Sequence, residues 1–435
     1  MQALLRAGIV ATLLAATGSV VAQTSESDPG ASVASLLQLA RGRNPELAAM
    51  RHEASAATER VLPAGALMDP RLKVELQDLT KAGEQGLTLL PSNVGGTVYT
   101  LTQELPWTGK RELRRDIATL EADAAQARER QTWAELAARI KALFVQRYLV
   151  QASERLANEN LDLMLQLEKV MQVRYAGGLA AQQDITRIHV EHTGMRVELV
   201  ALSAEWRQTQ ARLNLLLGRP ADAALAAPLA LRPLPDPSQL DFAALSERLR
   251  QGNPQVLVEG SRAKSAEKSR DLSYKSRYPD FTVGVNATQR QSAIREWGVM
   301  VELNLPIRDG VQKAQERESE AMLAAARARQ ESAANQAKAE LMDKLLALES
   351  ARQTENLMRF SLMPQADLTW RAALAAYENG KADFASLLDA MRQVRQARQN
   401  QLKAQVDAQM QLAEIERLIG EDVCCLLYTS PSPRD

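Results

Sequence analysis

Two cysteines and three histidines in 435 residues leave little material for thiol, metal or acyl-transfer chemistry. Aromatic residues reach only 4%, low for a β-sandwich or for an enzyme with an aromatic-lined pocket. Net charge is missing as well: 53 Lys and Arg balance 53 Asp and Glu. A nucleic-acid partner needs a basic face, and this balance argues against one. After the first 22 residues no run approaches 18 consecutive apolar residues, so no transmembrane α-helix is expected. Thr108-Gly109-Lys110 lacks the upstream glycine of a phosphate-binding loop. His189 and His192 stand three apart with Glu191 between them, but no third metal ligand presents itself and the spacing is not HExxH. No catalytic residue, metal site or cofactor is expected, and the chain does not read as an enzyme.

What is present is helix-forming and apolar. Hydrophobic residues make up 46%, enough for a large core. Residues 1–22 read as a secretory signal peptide, with Arg6 as the positive start, residues 7–21 as the apolar stretch, and Val20 and Ala22 as the small residues before cleavage. At the other end, residues 421–435 depart from the pattern. Both cysteines, Cys424 and Cys425, lie there, and the segment reads as an atypical, artefactual tail without a role.

Between these ends the sequence is written twice. Asn44-Pro45-Glu46-Leu47 returns as Asn253-Pro254-Gln255-Val256, and Gln103-Glu104-Leu105-Pro106 as Leu303-Asn304-Leu305-Pro306. Tyr175-Ala176-Gly177-Gly178 returns as Tyr377-Glu378-Asn379-Gly380, and Leu217-Gly218 as Ile419-Gly420. The last two pairs share one offset. Repeats over residues 32–219 and 238–420 follow, joined by an Ala/Pro-rich extended linker over 220–237.

Each repeat has one internal order. A short helix spans the Asn-Pro, over 32–60 and 243–275. Two strands follow, over 71–78 and 97–105, then 281–288 and 299–305, each with period-2 alternation. Segments 79–96 and 289–297 read as loops. Residues 107–219 contain no proline and 307–420 contain only Pro364; both are rich in Ala, Leu, Gln, Glu and Arg. Gly177-Gly178 and Asn379-Gly380 break them, so each repeat holds a long helical hairpin with its tip there. Each arm of the first hairpin is expected to run about 65 residues, on the order of 100 Å. Leu and Met at three- and four-residue spacing give coiled-coil-like packing.

Four strands of this length match a tilted transmembrane strand but cannot close a barrel. A membrane forbids open sheet edges. Strands that span one must therefore be pooled, and three chains give twelve. Tyr99, Tyr278, Phe281 and Trp297 suit an interfacial aromatic belt. The alternative is a soluble periplasmic scaffold or adaptor, with a β cap on a coiled coil.

The ordered set of a leader, two strand-strand-hairpin repeats and two Asn-Pro openings resembles the TolC family of outer-membrane efflux channels (outer membrane factors). Arg174-Tyr175-Ala176-Gly177-Gly178-Leu179 followed by Asp184 resembles the first hairpin tip of that family, and Tyr377-Glu378-Asn379-Gly380 followed by Leu387-Leu388-Asp389 the second. Leu213–Gly218 resembles the end of its first repeat. The resemblance implies a mainly α fold with a β membrane part: a homotrimer whose twelve-stranded barrel, set in outer-membrane lipid, continues as a periplasmic α-helical tunnel. It also implies docking to a periplasmic adaptor and an inner-membrane pump, of the RND type. An aperture ring maps onto Ser386 and Asp389, with Asp383 nearby; the family's acidic residue is kept at Asp389 and replaced at Ser386. A gate latch maps onto Asp184 and Tyr377, but the latch arginine is Ala382 here. Adaptor-docking tips map onto Gly178, Leu179, Gly380 and Lys381. Asp69-Pro70 and the Leu105–Arg111 turn resemble the heavy-metal-efflux branch (the CusC and CzcC type). Drug export and type I secretion are the other expected cargo classes.

Overall fold

The computed structural model describes residues 29–84, 86–178, 180–290, 293–307 and 309–423. The leader, Leu179 and the two cysteines lie outside the described residues. The first repeat contains α1 (Val33–Arg43), α2 (Pro45–Glu59), α3 (Val61–Gly65), β1 (Arg71–Gln77), β2 (Gly96–Leu105), α4 (Lys110–Ala176) and α5 (Gln182–Leu216). The second contains α6 (Phe242–Gly252), α7 (Pro254–Lys275), β3 (Phe281–Arg290), β4 (Ala293–Leu303), α8 (Asp309–Leu357), α9 (Met363–Glu378) and α10 (Phe384–Ile419).

The helix expected around each Asn-Pro is two helices. A proline pushes the residue before it out of the helical region, and Asn44 sits at φ −67°, ψ 122°. Its side-chain oxygen accepts the Leu47 N–H at 2.8 Å and caps α2. Its amide also donates to the Leu216 carbonyl, the last of α5, at 2.9 Å. Asn253 does the same in the second repeat, accepting from Val256 N–H at 3.0 Å and donating to Leu418 O at 2.8 Å. So α5 runs end to end into α2, and α10 into α7. The two short repeated motifs, Asn-Pro and Leu-Gly or Ile-Gly, meet at these seams. Glycine is required there: Gly218 has φ +63°, and a Cβ on it would lie 2.6 Å from the Arg43 carbonyl. Gly420 has φ +77° and meets Gly252 O at the same 2.6 Å.

The seam also corrects the length of the first hairpin. Its outgoing arm α4 has 67 residues, but the return arm α5 has only 35. The rest of the return path is taken by α2. In the second hairpin Pro364 does not end the helix, because a five-residue π turn over 358–362 precedes it and leads directly into α9. The wider turn re-routes the hydrogen bonds that a proline removes.

The four strands form one antiparallel sheet in the order β1-β2-β3-β4. The segment expected as a loop over 289–297 is mostly strand. β3 continues to Arg290 and β4 begins at Ala293, with a bulge at Thr288/Gln289. Polar residues on both faces there hide the alternation. The longer 78–95 connection bends through positive φ at Asp78, Lys81, Ala82 and Gly83.

Register sorts the sheet into two faces. Leu72 faces Leu101, Leu101 faces Val285, and Val285 faces Val299. Val74, Tyr99, Ala287 and Trp297 form the next row of the same face. The other face carries Lys73, Glu75, Thr100, Thr102, Thr282, Asn286 and Glu302. The apolar face is not covered by the helices: Trp297 is 73% exposed and Val299 82%.

The cores lie among the helices. One cluster gathers Leu36, Leu47, Ile140, Phe144, Leu213 and Leu217, with linker residue Leu225. A second gathers Leu249, Leu341, Leu348, Leu412 and Ile415. A third lies near the hairpin tips. The linker, read as a plain extended tether, is held down by buried polar groups. Arg147 is fully buried, stacks over Trp206 at 3.6 Å and donates to Leu225 O at 3.1 Å. Its burial brings its pKa down to about 10. Lys141 pairs with Glu416 at 2.7 Å, and Glu416 with linker Arg232 at 3.0 Å.

That network corrects the expected boundary at Gly420. Asp422 also pairs with Lys141, Glu421 pairs with Arg248, and Val423 is buried in the second cluster. The folded repeat therefore includes residues 421–423.

Candidate functional site

The two hairpin tips lie side by side and share one core. Its buried members are Met164 and Met171 from α4, Ile188 and Met195 from α5, Tyr377 from α9, and Phe384, Leu387, Leu388 and Met391 from α10. Four methionines concentrate here, while the buried members of the other two clusters include none.

Tyr377 is the joint between the hairpins. Its hydroxyl donates to the Met171 sulfur. The Arg174 guanidinium lies 4.7 Å above its ring, and the Arg174 side chain reaches its carbonyl at 3.5 Å. Phe384 packs edge-on against it at 5.8 Å. Burial pushes the Tyr377 phenol up, with nearby Asp184 adding to the rise and Arg174 opposing it. Asp184 itself pairs with Arg187 on its own helix, at 3.8 Å. Within one protomer Tyr377 thus links the hairpins through α4, and Asp184 acts on it only through its charge.

The three residues mapped to an aperture behave differently from one another. Asp383 is the N-cap of α10: its carboxylate accepts the Ser386 N–H at 3.0 Å and the Ser386 hydroxyl at 2.5 Å. Those two bonds hold the Asp383 carboxyl below its usual range. Ser386 thus completes a helix cap. Asp389 stands one turn further along, exposed, with Arg392 Nη1 at 3.1 Å.

Arg392 also donates to Glu191 on α5. That bond raises the Arg392 pKa despite partial burial. Two residues in step with it extend the contact: Arg395 meets Glu198 at 3.1 Å, and Gln399 donates to Glu198 at 3.0 Å. A polar seam therefore joins α10 to α5 above the tips, beside a cleft of about 440 Å³ bounded by Arg187, Glu191, Leu388, Asp389 and Arg392. This seam was not singled out from the sequence. Its signal was there: Glu191 and Glu198 are seven apart, as are Arg392 and Gln399, which puts each pair on one helix face. His189 lies 3.8 Å from Glu168 and is more than half exposed.

The tip turns are open. Gly178 has φ +73° and Gly380 φ +67°, and a Cβ on either would meet nothing within 4 Å. Lys381 is exposed and its N–H closes the turn onto Ala376 O at 2.8 Å.

Among the described residues no helix is long and apolar enough to cross a membrane, while one face of the sheet is apolar and exposed. The family described as outer membrane efflux protein matches residues 36–219 and 245–421, which are the two repeats. The chain belongs to this family, whose members are outer-membrane efflux channels. It is 26% identical over 409 residues to the cobalt-zinc-cadmium resistance protein CzcC of Cupriavidus metallidurans, covering 88% of each chain. Among solved structures it resembles a membrane protein from Pseudomonas aeruginosa, with a TM-score of 0.77 at 20% identity, covering 91% of both chains. It also resembles the CusC channel, with a TM-score of 0.77 at 16% identity, covering 89% of this chain and 92% of that one. Those likenesses agree with a mostly helical fold carrying a small sheet.

Proposed function

We propose that this chain is one third of a trimeric exit duct. The observation that carries the reading is the sheet: four strands, one exposed apolar face, one polar face, and two unpaired edges, β1 and β4. Open edges are not tolerated in hydrocarbon. With an even number of antiparallel strands, β4 of one copy runs opposite to β1 of the next. Three copies can then close a twelve-stranded barrel with antiparallel pairing throughout and the polar face lining the lumen. The helical hairpins continue that lumen as a periplasmic tunnel.

At the far end, Asp389 from three copies forms an acidic ring that favours cations. Asp383 and Ser386 hold the start of the helix that bears it. Tyr377, through Met171 and Arg174, and Arg392, through Glu191, hold the tips together in the closed state, and Asp184 completes this latch through its charge beside Tyr377. Gly178, Leu179, Gly380 and Lys381 present the turns to a periplasmic adaptor, which couples the duct to an inner-membrane pump of the RND type. No step in this path is chemical, so no cofactor or catalytic residue is required.

The cargo we propose is divalent heavy-metal cations, on the likeness to the cobalt-zinc-cadmium resistance protein over 88% of each chain. Deleting the gene in its host and restoring it tests this. Sensitivity to cobalt, zinc, cadmium or copper salts that the restored gene reverses supports the metal reading. Sensitivity only to dyes and antibiotics replaces it with drug export.

A further inference from the structure

The apolar face of the sheet does not stop at the last hydrogen-bonded pair. At its helical end Leu62 is 80% exposed and Ile307 83%, and Leu67, Met68, Tyr278, Leu303 and Leu305 are exposed as well. On the same side Trp107 stacks on Tyr278 at 5.1 Å and on Phe281 at 5.7 Å. Phe281 opposes Leu105 and Leu303 in the sheet register, which places Trp107 on the apolar face.

Beside Trp107 opens a cleft of about 400 Å³, bounded also by Gly65, Pro106, Arg111, Glu112 and Arg115. Arg111 uses Nε and Nη2 to hold the Gly65 carbonyl at 3.0 and 2.9 Å, which fixes the corner between α3 and β1. The stem of Arg115 lies against Gly65, where an added Cβ would come within 3.1 Å of it. The Arg115 guanidinium has no hydrogen-bond or ion-pair partner among the described residues. Two guanidinium groups against the single Glu112 carboxylate leave the cleft positive.

Three features therefore coincide at one height: an amphipathic tryptophan, a belt of exposed apolar side chains, and an unpaired arginine with its stem packed on the chain. Tryptophan favours the headgroup level of a bilayer. An arginine there keeps its stem among apolar groups and its head among phosphates. We propose that Trp107, Arg111 and Arg115 seat the phosphate headgroup of a phospholipid in the periplasmic leaflet, one per protomer, with its acyl chains along the apolar face of the sheet. The seat rests on the reading that the sheet spans a bilayer.

The test uses the full chain purified in detergent. Phosphatidylglycerol and phosphatidylethanolamine are titrated in, and native mass spectrometry counts the lipids retained. Three per trimer are expected for the unaltered protein. Arg115→Glu should weaken retention by about tenfold or more, since it replaces a charge-assisted bond by repulsion. Arg115→Gln should fall between the two. Arg115 has no internal partner to lose, so these variants should fold; Trp107→Phe reports on the seat independently through weakened retention. Equal retention in the unaltered protein and Arg115→Glu overturns the seat. So does displacement of the lipid by millimolar inorganic phosphate, which marks a soluble-anion site. Loss of the trimer in Arg115→Glu with lipid retention unchanged identifies a protomer contact and also overturns it. A protein that stays monodisperse without detergent and binds no lipid instead overturns the membrane reading itself.

Discussion

Arg392 on α10 holds Glu191 on α5 and Asp389 on its own helix at the same time. One cation thus ties the two hairpins together and partly neutralises the carboxylate of the proposed aperture ring. Arg392→Ala should do two things at once. The hairpins lose their bridge, so resting conductance in a planar bilayer should rise. Asp389 loses its countercharge, so cation preference should rise as well. Glu191→Gln should raise conductance without that gain in selectivity. If Arg392→Ala leaves resting conductance unchanged, the bridge does not hold the gate.

Asp389→Asn removes one charge per protomer from the proposed aperture ring. The cation-to-anion permeability ratio should fall, on the order of twofold or more at low salt, and the difference should shrink as salt rises. An unaltered ratio would remove Asp389 from the aperture.

The seams can be read in unfolding experiments. Asn44→Ala loses the cap on Leu47 and leaves the Leu216 carbonyl without its donor. The cost should be about 1–2 kcal/mol. Gly218→Ala should cost at least about as much, because a Cβ meets the Arg43 carbonyl and the φ is positive. Gly178→Ala is the control. It shares the positive φ but meets nothing, so its cost should be only about 1 kcal/mol. Thermal unfolding of the detergent-solubilised variants gives the order.

Asp280 should report on the junction between sheet and helices through pH. Burial pushes its carboxyl up, but Lys110 at 2.8 Å and the Trp107 N–H outweigh that and hold it below the usual value. A depressed pKa means the stabilisation is fully present above the unfolded value of about 3.9. It is lost as pH falls through the lower, folded value. The unaltered protein should therefore hold its stability down to about pH 4 and lose it below, whereas Asp280→Asn should be less stable at pH 7 and flatter in that acid range. Parallel curves for the two proteins would remove this role.

The repeats, the strand faces and the hairpin tips were legible because each rests on a local signal: a shared offset, a period of two, a glycine pair. The seams were not. Asn44 advertises a helix start, but nothing near it names Leu216 as the carbonyl it also serves. The same holds for the β3–β4 hairpin, where Arg290 and Glu296 made a strand look like a loop. At the tips, Tyr377 was visible from its motif, whereas its bond to Met171 depends on how two hairpins pack. Family mapping supplied Ser386 and Asp389 as ring positions with Asp383 nearby; that Asp383 and Ser386 together cap α10 came only from the geometry.

The end-to-end rods also set an order of assembly. Asn44 and Leu216 stand 172 residues apart, and Asn253 and Leu418 165. Each rod thus closes only when a whole repeat has emerged, yet neither needs the other repeat for its seam. The sheet has the opposite dependence, since β2 of the first repeat pairs with β3 of the second. An exported chain can therefore complete its first rod and its β1–β2 pair while β2 still waits for β3. In the proposed trimer, closure between copies is left for last, and the edges of β1 and β4 spend the longest time unpaired.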